Sequence, residues 1–328
     1  MLKGKDLILA TKPFAKEIRW KSWFYALSAF FFLIASLLGT YFVPTIYGKI
    51  FCSLSSAVFL TRFFMIFHDY QHHSILQKSA LANFLFTIYG FYMLTPPSIW
   101  KRSHDHHHNN NAKLFSANIG SFPIMTKQKF MEASKNEKRI YLAIRHPFNM
   151  IFAYFTMFIY GMCIQSFISS PRRHWDSLAT IILHLGIAVT LFIFAGPLTW
   201  FLAFFLPFFI SHMIGAYLFY AQHTFPGVVF KSNSEWTYAD AALESSSFLK
   251  MNPVLSWITA NIGYHHIHHL NSRIPFYRLP EAMRSIAELQ DAKVTTFKLS
   301  DIISCLRLKL WDTEQNRMIA LSELDFSN

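Results

Sequence analysis

Histidines are concentrated in three short groups along the 328-residue chain. Of its 16 histidines, 11 lie in "HDYQHH" (68–73), "HDHHH" (104–108) and "HHIHH" (265–269). On a helix, residues three or four positions apart share one face. The spacing therefore predicts three short helical stretches whose imidazoles converge on one region. The converging residues are His68, His72, His104, His107, His108, His265, His268 and His269.

Such convergence indicates a metal site rather than solvated surface histidines. Imidazole is a common metal ligand and suits both iron and zinc. A structural zinc ion takes about four ligands, so eight histidines fit two metal ions better than one. Soluble carboxylate di-iron bundles use Glu-x-x-His, a pattern that is absent from this sequence. If the metals are iron, the site must be rich in histidine rather than in carboxylate.

The elements that must position these groups are those of a membrane protein. The chain is 53% hydrophobic and 15% charged, whereas soluble domains carry about 25% charged residues. A spanning helix needs about 20 apolar residues. The sequence therefore predicts one helical hairpin in 23–67 and a second in 177–222, turning at "AGPLTW" (195–200). Pro96 and Pro97 make the run 82–100 an interfacial or partly buried segment.

Basic residues predict the orientation. Six Lys or Arg lie in residues 1–22 and nine in residues 101–147, so both segments are expected in the cytoplasm. The apolar run 148–169 is predicted to dip into or lie along the membrane, because Arg172 and Arg173 follow it. The predicted fold is an all-α integral membrane protein with about four transmembrane helices, interfacial helices and a cytoplasmic helical cap that carries the histidines.

Charge and cysteine content exclude other classes. The net charge of +12 would suit nucleic acid, but the basic residues flank apolar runs, which is typical of membrane topology and lipid contact. Cys52, Cys163 and Cys305 predict neither a disulfide framework nor a zinc ribbon. The N-terminus lacks the pattern of a cleavable signal peptide. A histidine-rich metal transporter is the non-enzyme alternative, although transporters place their ligands near the bilayer midplane.

The motifs together resemble those of the membrane-bound histidine-box fatty acid desaturases, most of all the delta-12 (omega-6) acyl-lipid branch. The resemblance covers about residues 60–285. It rests on "HDYQHH", on "WKRSHDHHHNN" (100–110), on "QHTFP" (222–226) with "SEW" (234–236), and on "HHIHH" followed by "RIPFYRL" (273–279). The chain departs from that branch at Tyr70-Gln71, where Cys-Gly is usual, and at Leu270-Asn271, where an aromatic residue is usual. It departs from the animal acyl-CoA branch at Phe219.

The resemblance implies a di-iron enzyme that uses O2 to remove two hydrogens from an acyl chain and reduces the O2 to water. It implies the eight histidines as iron ligands and adds His223 as a ninth, which also stands where the last membrane helix should reach the cytoplasm. The implied substrate is a lipid-linked or otherwise carrier-linked acyl chain, cut at the delta-12 position. Because "Gly-Gly" is absent, no fused cytochrome b5 signature is present, and a separate ferredoxin or cytochrome b5 is expected to supply electrons.

Several neighbours of these ligands are candidates for supporting roles. His73, His106 and His266 lie off the shared faces and are predicted to be outer-sphere or surface groups. Asp69 and Asp105 adjoin ligands and could accept the second imidazole N–H, as carboxylates beside metal-bound histidines do, or could simply be solvated. Asn261, four residues before His265, could hold a metal-bound water.

One domain is predicted over 1–328, with a core at about 45–285, a basic cytoplasmic segment at 1–22 and a cytoplasmic tail at 286–328. The alternative enzyme is a histidine-box hydroxylase or ketolase acting on a carotenoid, an alkane or a sphingolipid. The two enzyme classes differ in the mass of the product, because desaturation removes two hydrogens and hydroxylation adds an oxygen atom.

Overall fold

A computed structural model describes residues 2–114 and 120–324, so Met1, residues 115–119 and the last residues of the predicted tail, 325–328, lie outside the described residues. The described chain is mainly helical. Its α-helices are α1 (Gly4–Thr11), α2 (Arg19–Phe42), α3 (Ile46–Gln71), α4 (Ala80–Tyr92), α5 (Pro97–Asn110), α6 (Lys127–Glu132), α7 (Lys135–Ile144), α8 (Pro147–Ile151), α9 (Ser166–Ser169), α10 (Trp175–Trp200), α11 (Leu206–His223), α12 (Tyr238–Glu244), α13 (Pro253–Ile258), α14 (His265–Leu270), α15 (Leu279–Ser285) and α16 (Leu299–Arg307).

Tighter and wider turns complete the helical part. The π-helical segments are Tyr154–Gln165 and Phe201–Phe205, and the 3-10 turns are Lys12–Ala15, Phe276–Arg278, Ala287–Leu289 and Leu321–Glu323.

The predicted first hairpin is formed by α2 and α3. Thr45 caps the start of α3 by accepting the Gly48 N–H. Small residues let the two helices approach closely: the Ser36 and Ser56 hydroxyls lie 3.0 Å apart, and a Cβ on Gly39 would lie 2.6 Å from the Cys52 sulfur. The hairpin therefore supports α3, whose far end carries the first histidine group.

The second predicted hairpin is also present. Residues Trp175–His223 read as one 49-residue helical stretch, which if straight would be about 73 Å long, more than twice the apolar thickness of a bilayer. It is interrupted at Gly196, which has φ 81°. The His184 ring then lies 4.6 Å from the Phe204 ring and 4.8 Å from the Phe208 ring, so the chain reverses at Gly196.

Helices that can cross a membrane, judged by length and apolarity among the described residues, are Arg19–Phe42, Ile46–Gln71 and Trp175–His223. The runs predicted not to cross are shorter: α4 has 13 residues, and the apolar stretch Tyr154–Ser169 is classed with it as a shorter apolar helix.

The prediction of an all-α fold needs a correction, because two small sheets are present. Strand β1 (Met125–Thr126) pairs in parallel with β4 (Leu308–Asp312), which pairs antiparallel with β5 (Arg317–Ala320). A second pair joins β2 (Phe248–Leu249) to β3 (Val294–Thr295) in parallel. Leu310 and Trp311 are buried. Up to residue 324, the segment predicted as a tail is thus folded against the rest of the chain.

Candidate metal centre

The first two histidine groups meet where the end of α3 lies beside the C-terminal half of α5. His68 lies in the last turn of α3 and His72 caps it, so their Nε2 atoms face the same way, 3.3 Å apart. Pro97 starts α5 at a position where its missing N–H costs nothing. On α5, His104 places its Nε2 2.8 Å from that of His68 and 2.9 Å from that of His72. Trp100 stacks on the His104 ring at 4.9 Å and fixes its orientation.

The third group occupies a buried helix of six residues. All residues of α14 are buried, including His265, His268 and His269. His265 and His269 lie one turn apart with Nε2 atoms at 3.2 Å. The predicted helical spacing of this group is therefore confirmed, as it is for the histidines on α5.

His223 ends α11 and is anchored through its other nitrogen. Its Nδ1–H donates to the Ser245 carbonyl at 3.1 Å, so in the neutral ring Nε2 carries a lone pair. That Nε2 lies 3.0 Å from His107 Nε2 and 2.8 Å from His265 Nε2. His223 therefore faces the same region as the second and third groups.

The nine histidines divide into two groups of possible metal ligands, each with its ligand nitrogens within 4.8 Å of one another. The five-histidine group is His68, His72, His104, His108 and His268, and the four-histidine group is His107, His223, His265 and His269. The groups adjoin, because the His108 ring of the first stacks on the His269 ring of the second at 4.1 Å.

The spacing of the nitrogens fits metal ions better than hydrogen bonds between imidazoles. Donor atoms about 2.0–2.1 Å from one metal and at right angles lie about 2.9 Å apart, which agrees with the 2.8–3.0 Å contacts above. A neutral imidazole has a single N–H, so mutually facing Nε2 atoms cannot all be paired. Both ring nitrogens of His108 and of His268 are buried without a hydrogen-bond partner. Two metal ions of a type that accepts nitrogen ligands, such as iron, would satisfy one nitrogen of each of these rings.

Five of the converging histidine side chains are held neutral by their surroundings. Burial lowers the pKa of His104, His108 and His268 well below 6.5, and the neighbouring imidazoles lower it further. The same causes act on His107 and His269. Metal binding requires the neutral imidazole, so the site is set for ligation before a metal arrives.

Asp69 is buried beside the centre, whereas Asp105 is not. One Asp69 oxygen lies 3.8 Å from His68 Nδ1, beyond hydrogen-bond distance, and the other accepts the Phe276 N–H at 2.7 Å. Asp105 is half-exposed and pairs with Lys101 at 2.6 Å. Asp105 therefore does not orient an imidazole, because its side chain lies on the face of α5 that points away from the converging histidines.

The other candidates for supporting roles have structural or surface roles instead. His73 is exposed. The ring of His106 lies beside the Asn110 amide at 3.4 Å, on the outer face of α5. His266 is fully buried, and its Nε2–H donates to the Leu289 carbonyl at 3.1 Å, so it anchors α14 rather than lying on the surface. Asn261 precedes α14 in a turn, and its amide donates to the Phe276 carbonyl at 3.1 Å.

The structure adds residues that the sequence analysis missed. The Ser121 hydroxyl contacts His107 Nδ1 at 2.6 Å, and the Ser245 carbonyl holds His223. No spacing rule could point to either, because Ser121 lies in an irregular segment and Ser245 caps a helix far from the histidine motifs in sequence. Trp100 could have been assigned, since it precedes His104 by one helical turn.

An apolar cavity of about 280 Å³ reaches the centre. Its histidine end contains His68 and His104 of the five-histidine group and His265 of the four-histidine group. Its apolar walls come from α3, the π-helical segment Tyr154–Gln165 and α11, and include Phe64, Met65, Met157, Phe158, Met162 and Phe219. The cavity therefore offers an apolar ligand direct access to both groups.

Comparison with known proteins adds a family match. Residues 44–299 match the model of a family described as fatty acid desaturase. A Bacillus subtilis (strain 168) protein named fatty acid desaturase is 32% identical over 282 residues, which are 81% of this chain and 75% of that protein.

More distant relatives carry more specific names. An sn-1 oleoyl-lipid 12-desaturase of Synechocystis sp. is 26% identical over 70% of this chain and 65% of its own length. A chloroplastic omega-6 fatty acid desaturase of Spinacia oleracea is 24% identical over 70% of this chain. This chain spans 51% of the spinach protein.

Proposed function

Because this chain belongs to the fatty acid desaturase family, we propose that it is a di-iron enzyme that uses O2 to insert a double bond into a lipid-linked acyl chain. The proposed ligands are the five-histidine group for one iron and the four-histidine group for the other. The single observation that carries the proposal is the opening of one apolar cavity onto histidines of both groups.

The reaction that we propose balances with two electrons from outside. A CH2–CH2 unit loses two hydrogens, and O2 takes these together with two electrons and two protons to give two waters. The irons, when bound, supply the oxidising power that side chains lack. We propose a ferredoxin or a cytochrome b5 as the electron donor, and the positive net charge would favour an acidic one.

The chain's own residues would position the substrate and keep water out. The walls of the cavity would hold an acyl chain across His68, His104 and His265, and such positioning governs which bond reacts. The carbonyl of Ser245 and the ring of Trp100 would keep two of the ligands in place.

We propose the delta-12 (omega-6) position for the new double bond. The support is the resemblance of the motifs and two relatives, named sn-1 oleoyl-lipid 12-desaturase and omega-6 fatty acid desaturase. Tyr70 packs its ring on Phe86 at 4.6 Å, on the outside of α3, so this departure from the branch lies away from the cavity.

We further propose four membrane spans, two from α2 and α3 and two from the halves of the stretch broken at Gly196, with the histidines at the cytoplasmic side. A contact between α5 and α10 supports a path in which segment 148–169 enters and leaves the membrane on the same side. Ser98, at the start of the histidine-bearing α5, donates its N–H to Asp176 at 2.8 Å, and its hydroxyl lies 2.7 Å from His174 Nδ1. The beginning of α10 therefore lies beside α5.

The test is expression in a host of defined lipid composition that is fed labelled oleate, followed by mapping of double bonds by mass spectrometry. We expect a diene that is two mass units lighter, with the new bond at delta-12. Conversion of stearate to oleate without a diene would reassign the position to delta-9. A product that is sixteen mass units heavier would instead show hydroxylation.

A further inference from the structure

Helix α11 contains a glycine, Gly215, at a position where neither the backbone conformation nor the packing requires one. Gly215 lies within the helix Leu206–His223, where glycine costs about 1 kcal/mol relative to alanine. Its backbone is not in the left-handed region, and a Cβ added to it would meet nothing within 4 Å. Gly39, by contrast, is needed for close helix packing against Cys52. Gly215 therefore serves neither an unusual backbone conformation nor a close approach of helices.

The space in front of Gly215 belongs to the apolar cavity. On α11 the cavity is lined by Gly215, Ala216, Leu218, Phe219 and Gln222. Gly215 is the one furthest from His223, eight residues along the chain or about 12 Å along the helix axis. Met157, Phe158 and Met162 line the cavity from the π-helical segment. A side chain at position 215 would project into the end of the cavity that is remote from the histidines.

We propose that Gly215 is a specificity-determining residue: by lacking a side chain, it sets how far the acyl chain can extend beyond the metal centre. This inference rests on the proposed desaturase function and adds to it the residue that controls chain length. A larger residue at this position would shorten the cavity without touching a ligand, so longer chains would be rejected and shorter ones retained.

The test compares Gly215→Ala and Gly215→Leu with the unchanged enzyme in a host supplied with both palmitoleoyl and oleoyl lipids. These acyl chains share a double bond at the same carbon and differ in length beyond it. Because an ill-fitting methylene is discriminated about 10-fold or more, we expect Gly215→Leu to lower the ratio of oleoyl to palmitoleoyl conversion at least about tenfold. Gly215→Ala should shift the ratio in the same direction by less.

Gly186→Leu is the matched control. Gly186 is an exposed helical glycine of α10, does not line the cavity, and also has nothing within 4 Å of an added Cβ. The Gly186→Leu variant should leave the ratio of oleoyl to palmitoleoyl conversion unchanged. Iron content of each purified variant gives a second readout, which should stay at the level of the unchanged enzyme.

The outcomes separate this inference from the function on which it rests. If the unchanged enzyme forms no double bond in either lipid, the proposed function fails. If the unchanged enzyme forms a double bond but Gly215→Leu converts both lipids in the original ratio, the proposed role of Gly215 is wrong. Equal loss of both conversions in Gly215→Ala and Gly215→Leu would also overturn it, because a limit on length must spare the shorter chain.

Discussion

The histidines that we propose as ligands contact other residues through their second ring nitrogen, and these residues lie outside the three histidine motifs. The Ser245 carbonyl accepts the N–H of His223, and the Ser121 hydroxyl contacts His107 Nδ1. Each contact leaves Nε2 facing the centre, because the other nitrogen is engaged. Residues on the same helix but off that face should therefore matter much less, and the first prediction tests this contrast.

His107→Ala should lower desaturation at least about 100-fold and reduce bound iron, because the change removes one of the four nitrogens of the four-histidine group. His106→Ala, on the outer face of the same helix, should stay within about twofold of the unchanged enzyme. Product formation and iron content of both purified variants are the measurements. Equal losses in the two variants would contradict the assignment of faces.

The structure changes the expected effect of substituting His266. Its place off the ligand face suggests a mild effect, but it is fully buried and donates to the Leu289 carbonyl. His266→Ala should therefore lower the free energy of unfolding by about 1–3 kcal/mol by leaving that carbonyl unpaired. His266→Gln, which keeps a donor, should lose less. Thermal unfolding in detergent measures both, and an unchanged midpoint for His266→Ala would contradict this account.

At the scale of elements, the spacing of residues in the sequence predicted the helices and the turn that depend on neighbouring residues alone. The HxxHH patterns correctly predicted helices at α5 and α14, and the Gly-Pro pair correctly predicted the reversal at Gly196. The strands were missed because several have only two residues and pair with partners far along the chain, as Met125 does with Leu310. No alternating pattern can signal a strand of that length.

Asp69 joins two elements, since it lies next to His68 on α3 and accepts the Phe276 N–H beyond α14. Asp69→Asn keeps the acceptor oxygen but removes the negative charge near the ligand. Because the Asp69 carboxylate lies near His68 Nδ1 without a hydrogen bond to it, the change should weaken iron binding by up to about tenfold, the lower end of the range for groups that are hydrogen-bonded to a metal ligand. Asp105→Asn is the matched control, because Asp105 pairs with Lys101 in solvent. Iron retention against a chelator measures both, and equal retention would argue against the role of Asp69.

At the scale of the whole molecule, composition and charge predicted a membrane protein in which the apolar segment 148–169 does not cross the membrane. The contacts of Ser98 with Asp176 and His174 place the start of α10 beside α5. In a variant whose native cysteines are replaced, a cysteine at position 173 should react with a reagent from the cytoplasmic side only. A cysteine at position 45, in the turn between α2 and α3, should react from the opposite side. External labelling at position 173 would show that segment 148–169 crosses.

Acid should destabilise the metal-free protein. The pKa of the buried histidines, such as His108 and His268, is lowered well below 6.5 by burial and by neighbouring imidazoles. Unfolded histidines take up protons near 6.5, and the folded site does not. Stability is therefore full above that pH and falls as the pH drops below it. The unfolding temperature of metal-free protein should fall between about pH 7.5 and about pH 5.5, and an unchanged or rising temperature would contradict this.

We propose that nine histidines on four segments hold two irons in one chain. The most direct measurement is the metal content of protein purified from cells grown with iron, determined by elemental analysis together with protein quantification. We expect close to two iron equivalents per chain, and a lower content in variants that lose a histidine from either group. A content of one metal per chain, or of zinc in place of iron in active protein, would contradict it.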